Sequence, residues 1–103
     1  MYRYLIREQV RYGQFREYLE INRELQAHAK AKGWVPWTLM VPTVGAMNEA
    51  VTVFDYPSLE VFERESREAE TDPDFMKLIR RSAELIVQGS GTTELLQTIT
   101  DLA

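Results

Sequence analysis

Between Val44 and Phe62 the chain passes from a glycine turn into a β-rich run and then, through a proline, into an acidic helix start. No other stretch constrains the fold as much. Val44-Gly45-Ala46-Met47-Asn48 reads as the end of a loop that begins at Pro42. A strand follows from Glu49 to Asp55, because Val51, Thr52, Val53 and Phe54 prefer a pleated surface. Both faces of that strand carry apolar groups, so it needs cover on both sides. Pro57 or Ser58 then opens a helix that runs to about Glu70. The stretch contains no nucleophile, no pair of metal ligands and no phosphate loop. It specifies architecture and leaves the reaction open.

The remaining elements follow from periodicity. Tyr2 to Arg7 alternates, with Tyr2, Tyr4 and Ile6 on a face for burial and Arg3, Leu5 and Arg7 on the other. From about Tyr12 to Lys32 the period becomes helical. Phe15, Tyr18, Leu19, Leu25 and Ala29 share a stripe, and Gly33 stands where a left-handed C-terminal cap belongs. Trp34 to Val41 is expected to be a second strand, at a sheet edge or with a bulge at Pro36, which has no amide donor. Thr71-Asp72-Pro73 breaks the second helix and starts a third, with Asp72 as cap and Pro73 in the first turn. Its expected buried stripe is Phe75, Leu78, Ile79, Ser82, Leu85 and Ile86, ending at Gly89-Ser90-Gly91. Thr92 to Thr100 makes a fourth strand, with Leu95, Gln97 and Ile99 on one face and Leu96 and Thr98 on the other.

The order β-α-β-β-α-α-β predicts an α+β, ferredoxin-like fold: a four-stranded antiparallel sheet with helices on one face. At 103 residues the chain is one domain, residues 1–103. A domain of this size buries only about 60–70% of its unfolded surface, so association helps it. The bare sheet face is expected to hold Leu5, Trp37, Val51 and Leu95 or their alternates. An apolar face of that extent calls for a homodimer through the open sheet face. A net charge of −4 argues against nucleic acid as a partner. The absence of cysteine excludes disulfides and thiol chemistry. Met1 to Arg7 is too short and charged for a signal segment, and no apolar run approaches the ~20 residues that cross a bilayer. The expectation is a soluble, cytoplasmic protein without membrane contact.

Taken in order, these features resemble the NIPSNAP family, within the dimeric α/β-barrel superfamily. The resemblance rests on the Gly13 turn, Phe15 and Leu19 on the first helix, Gly33 before the second strand, and Val44-Gly45 with Asn48 before the third. It continues through Tyr56 and Leu59, Asp72-Pro73 with Phe75, and a short strand after Gly91. It covers nearly the whole chain. It implies a homodimer whose two sheets close into a barrel. It implies no particular reaction, since the wider superfamily includes cofactor-free monooxygenases, haem-degrading enzymes, lactone isomerases and binding proteins.

Candidate functional residues are few. His28 is the only histidine. On the helical wheel it falls off the Phe15–Leu19 stripe and one turn after Glu24, which reads as a boundary histidine loosely paired with that carboxylate. Haem ligation of the kind the relatives imply needs a histidine on the later crossover helix, and Asp74 to Gln88 has none. Asn22 and Gln26 fall within the buried stripe of the first helix. Buried amides must find partners, at a cost of about 1–3 kcal/mol if they do not. Either they bond strand backbone or Tyr2 or Tyr4, or they line a cavity between the first helix and the sheet. Trp34, Trp37, Tyr2, Tyr4, Phe54 and Tyr56 supply core or interface area, or else the walls of a flat hydrophobic pocket. The acids of Glu63-Arg64-Glu65-Ser66-Arg67-Glu68 have the spacing of surface ion pairs. Gly89-Ser90-Gly91 is a turn rather than a phosphate cradle.

No set of side chains composes a catalytic mechanism, no acid–histidine set has metal-ligand spacing, and no cofactor is expected. The reading is a NIPSNAP-like homodimer that binds a small hydrophobic or aromatic ligand between helices and sheet, through Tyr2, Tyr4, Asn22, Gln26 and Trp37. The alternatives are a cofactor-independent monooxygenase or isomerase, and a protein-interaction module using the acidic helix from Ser58 to Glu70.

Overall fold

In the computed structural model, which describes residues 1–100, the elements run β1 (Tyr2–Gln9), α1 (Phe15–Lys32), β2 (Trp37–Met40), β3 (Glu49–Tyr56), α2 (Leu59–Glu70), α3 (Pro73–Ala83) and β4 (Thr92–Gln97). The four strands form one antiparallel sheet in the order β2-β3-β1-β4. This is the ferredoxin-like α+β fold read from the sequence. β2 lies at an edge as expected, with Pro36 directly before the strand rather than within it.

Register decides which side chains meet the helices. Tyr4 sits opposite Phe54 on one side and Leu95 on the other, and Trp37 also sits opposite Phe54. These residues therefore share a face with Ile6, Leu39, Thr52 and Tyr56. That is the helix-covered face, because Tyr4 and Tyr56 both pack on Phe62 of α2. The opposite face presents Arg3, Leu5, Arg7, Thr38, Met40, Val51, Val53, Asp55, Glu94 and Leu96. Leu5 and Val51 are on the bare face as expected. Trp37 and Leu95 are not: their register puts them on the helix side of the sheet, where Leu95 stays exposed.

The core sits at the α1 end of the helical layer, where Val10, Tyr18, Ile21, Leu25, Ala50 and Leu85 cluster. Its helical contribution is Tyr18, Ile21, Leu25 and Ala29, a 3-4-4 stripe. The stripe drawn from Phe15 and Leu19 is rotated slightly from this, and Ile21 was left outside it. Asn48 fastens the edge of the core by donating from its amide to the Val10 carbonyl at 3.0 Å, while the Val10 amide donates to the Asn48 carbonyl at 2.8 Å.

Several boundaries move for identifiable reasons. Gly13, at φ 83, turns the chain before α1, so the helix starts at Phe15 rather than Tyr12. The second strand begins at Trp37, not Trp34. The Trp34 amide returns to the Ala29 carbonyl at 3.0 Å, the Val35 amide goes to a side chain of α2, and Pro36 has no amide to give. α3 ends at Ala83, well short of Gly89, because residues 85–87 bond back to the end of β1. The Arg11 amide donates to the Leu85 carbonyl and the Val87 amide to the Gln9 carbonyl, each at 2.8 Å. β4 stops at Gln97 rather than Thr100. The cap of α3 is as read, Asp72 Oδ1 accepting from the Phe75 amide at 3.0 Å, and of Pro57 and Ser58 it is Ser58 that caps α2, its Oγ accepting from the Val61 amide at 3.2 Å.

Gly33 closes α1 at φ 74, and a Cβ built there meets nothing within 4 Å. A Gly33→Ala variant therefore bears only the backbone cost of the left-handed conformation. It is expected to lose about 1 kcal/mol, read as a lower urea midpoint with an unchanged denaturant slope.

Candidate functional site

α2 turns Phe62, Glu65, Ser66 and Ala69 toward the sheet, the i, i+3, i+4, i+7 spacing of one helical face. With Phe75 and Ile79 of α3 above and the strands below, Glu65, Ser66 and Ala69 enclose a recess of about 250 Å³. Its walls are mainly rings: Tyr4, Trp34, Trp37, Phe54, Tyr56 and Phe75. Trp37 and Phe54 lie 5.2 Å apart between ring centroids, Tyr4 and Phe54 5.8 Å, and Trp34 stands edge-on to Phe75 at 5.2 Å. These separations are typical of favourable aromatic pairs.

The polar content of the recess centres on Glu65. Its side chain is buried, at 7% relative exposure for the residue, and among the described residues it is the only charged one in the lining. Glu65 Oε1 accepts from the Val35 amide at 2.7 Å. Oε2 has the Arg64 guanidinium only at 3.9 Å, beyond hydrogen-bond length. The Tyr56 phenol is pushed up to about 12, first by burial and then by the negative charge of Glu65 and by Tyr4. It stays protonated and available as a donor. Glu65 corrects the assignment of the 63–68 acids to surface ion pairs. Its distance from Phe62, Ser66 and Ala69 on the wheel was the available signal, obscured by the charged residues on either side.

Trp37 is held from two directions. Its indole Nε1 donates to Asn22 Oδ1 at 3.0 Å, and its backbone carbonyl accepts from Gln26 Nε2 at 3.1 Å. Both amides of α1 thus have partners on β2, one of them strand backbone as expected. On the solvent side of this contact, Gln26, Lys30, Gly33, Trp34, Pro36 and Trp37 line a second, open cleft of about 450 Å³. The sequence-derived residues therefore separate. Tyr4 and Trp37 line the inner recess, Gln26 and Trp37 the outer cleft, and Asn22 orients the indole between them. Tyr2 lies on the same sheet face, paired with Tyr56 and Gln97, outside both linings. The cavity expected under α1 is filled by Ile21, Leu25 and Tyr18; the void lies under α2 and α3.

His28 is placed differently from the reading that paired it with Glu24. Its Nε2 lies 2.8 Å from Asp72 Oδ2, and its ring packs on Trp34 and Phe75 at 5.9 and 5.7 Å. Glu24 is instead 3.7 Å from Arg81. Asp72 also caps α3 and has Lys32 at 3.5 Å, so one carboxylate joins the end of α1 to the α2–α3 junction. The hydrogen bond from His28, followed by that from the Phe75 amide, lowers its pKa from 3.8 to about 2. The folded chain resists protonation of this group more than the unfolded chain does. Its contribution is therefore complete above the ordinary value of 3.8 and is lost as pH falls toward about 2. In urea titrations, the stability gap between wild type and Asp72→Asn is expected to be widest near neutrality and to close across that interval.

Among the described residues no cluster of histidine and acidic side chains is spaced to hold a metal ion, and no helix is long and apolar enough to cross a membrane. The NIPSNAP family model matches residues 4–98. The chain belongs to the NIPSNAP family. Among solved structures it resembles an uncharacterized NIPSNAP domain protein from Burkholderia xenovorans, with a TM-score of 0.80 at 13% identity over 97% of this chain and 96% of that one. A NIPSNAP family protein from Agrobacterium tumefaciens matches with a TM-score of 0.75 at 22% identity, covering 93% and 90% of the two chains. An antibiotic biosynthesis monooxygenase matches with a TM-score of 0.74 at 14% identity, covering 95% and 98%. At these identities the likeness is one of fold. No curated protein matches the chain.

Proposed function

We propose that this NIPSNAP-family protein binds a small hydrophobic or aromatic ligand between its helices and sheet, as a homodimer joined through the open sheet face. The observation that carries the reading is the ring-walled recess of about 250 Å³ under α2 and α3. A cavity of ~150 Å³ with apolar walls already accepts benzene, so the space suits one ring with a short substituent. Tyr4 and Trp37 are the expected contacts there, with Asn22 holding the indole and Gln26 the Trp37 backbone carbonyl. Tyr2 is the outer member of the set, one pleat beyond Tyr4. In a thermal-shift screen of small aromatic compounds, a ligand at a hundred times its Kd is expected to add ~2.7 kcal/mol of stability. Ala69→Phe, which fills the recess from α2, is expected to remove that gain. A screen without any stabilising compound overturns the reading.

The dimer is supported by the composition of the bare face. Leu5, Val51, Val53, Met40 and Leu96 project from it, where a solvated antiparallel sheet carries polar residues. Met40 and Leu96 are 55% and 45% exposed in the single chain. Around them stand Arg3 and Arg7 against Glu49, Asp55 and Glu94, both signs on one surface, which a second copy turned about a two-fold axis can complement. Sedimentation at micromolar concentration is expected to give twice the chain mass, and Val53→Glu to give the single chain.

A cofactor-independent oxygenase or isomerase is the second reading. It is supported by Glu65, since a carboxylate beside an apolar pocket is the arrangement a general base requires.

A further inference from the structure

We infer that the recess is selective for an organic ammonium ion, a small ring carrying a short alkylamine, with Glu65 as its counter-ion; this rests on the recess being the ligand site proposed above. A carboxylate taken out of water is stable only with a partner charge or a full set of hydrogen bonds. Glu65 is more than nine-tenths buried, yet it receives one backbone hydrogen bond, from Val35, and its nearest cation is Arg64 at 3.9 Å. The Arg64 side chain is 54% exposed, so its charge is largely spent on solvent. No lysine, arginine or histidine lines the recess. The side chains of His28 and Lys32 are both engaged with Asp72.

The rest of the lining favours the same ligand. Aromatic faces carry negative potential, and a cation within reach of several rings gains from each. Trp34, Trp37, Phe54, Tyr56, Tyr4 and Phe75 surround the space that Glu65 enters. An anionic ligand meets a carboxylate whose nearest cation is 3.9 Å away, and ring faces of negative potential. A neutral ring gains apolar burial but leaves Glu65 as it is. An arylalkylammonium ion does both: its ring replaces void with contact, and its N–H groups reach the carboxylate oxygen that lacks a hydrogen bond.

Three probes of similar size separate these outcomes: 2-phenylethylamine, 2-phenylethanol and 3-phenylpropanoate, titrated calorimetrically into the intact protein at neutral pH. The amine is expected to bind at least ~10-fold more tightly than the alcohol, because its donor carries a full charge opposite to that of Glu65, and the acid more weakly than either. Glu65→Gln keeps an oxygen for the Val35 amide but removes the charge. It is expected to bring the amine down to the level of the alcohol measured on the same variant. Equal affinity for amine and alcohol in the wild-type protein overturns the ammonium assignment and leaves the aromatic-ligand reading in place. Binding by none of the three overturns both. Amine binding undiminished in a folded Glu65→Gln variant removes Glu65 from the site. Should that variant fail to fold, the three wild-type affinities still decide the assignment.

Discussion

The hydrogen bond from the Val35 amide to Glu65, at 2.7 Å, is the contact on which the site depends. Only four residues separate the end of α1 from the start of β2, and they hold the helix cap, two bulky side chains and a proline. The Gly33 and Trp34 amides are used by the last turn of α1, and Pro36 has none. The Val35 amide is left to find an acceptor away from both elements. α2 supplies it across 30 residues of sequence. Loss of that bond leaves a buried carboxylate and an amide unpaired together, which costs more than an average hydrogen bond contributes. It also releases the connector that sets Trp34 against Phe75 and Trp37 against Phe54.

The two ends of the helical layer are packed with different materials. Beneath α1 the contacts are made by branched and small residues such as Val10, Ile21, Leu25 and Ala50, which interdigitate closely. Beneath α2 and α3 they are made by rings, with Phe54 touching Trp37, Tyr4 and Tyr56 at centroid separations from 5.2 to 5.8 Å. Flat, rigid groups meeting at tilted angles do not fill a volume as branched chains do. Space therefore remains at one end of a layer that is solid at the other. A void of that kind costs stability, and a ligand that enters it recovers the lost contacts.

Much of the architecture was legible because it depends on local periodicity and backbone chemistry. The alternation of Tyr2, Tyr4 and Ile6, the glycine at 33, Ser58 ahead of Leu59 and the Asp72-Pro73 pair each act within a few residues of themselves. The errors lie where an amide or carboxylate satisfies a distant partner. Residues 34–36 looked like strand because aromatic and branched residues favour one, but Val35 bonds to α2 instead. His28 looked like a partner for Glu24, one turn away, until α3 brought Asp72 to 2.8 Å. Glu65 looked solvated because charged residues flank it, although its helical phase matches Phe62 and Ala69.

The amino-acid sequence by itself determined the order of strands and helices and the apolar character of both sheet faces. Turn residues, caps and side-chain period act over short range, and they carry that information without tertiary context. Tertiary structure alone decided which face Trp37 occupies. One residue of strand register separates the bare face of Thr38 from the covered face of Trp37. It also decided that the void lies under α2 and α3 rather than α1, and that one carboxylate enters it. Those outcomes depend on how helices of fixed phase settle against a sheet of fixed register, a relation between elements far apart in the chain.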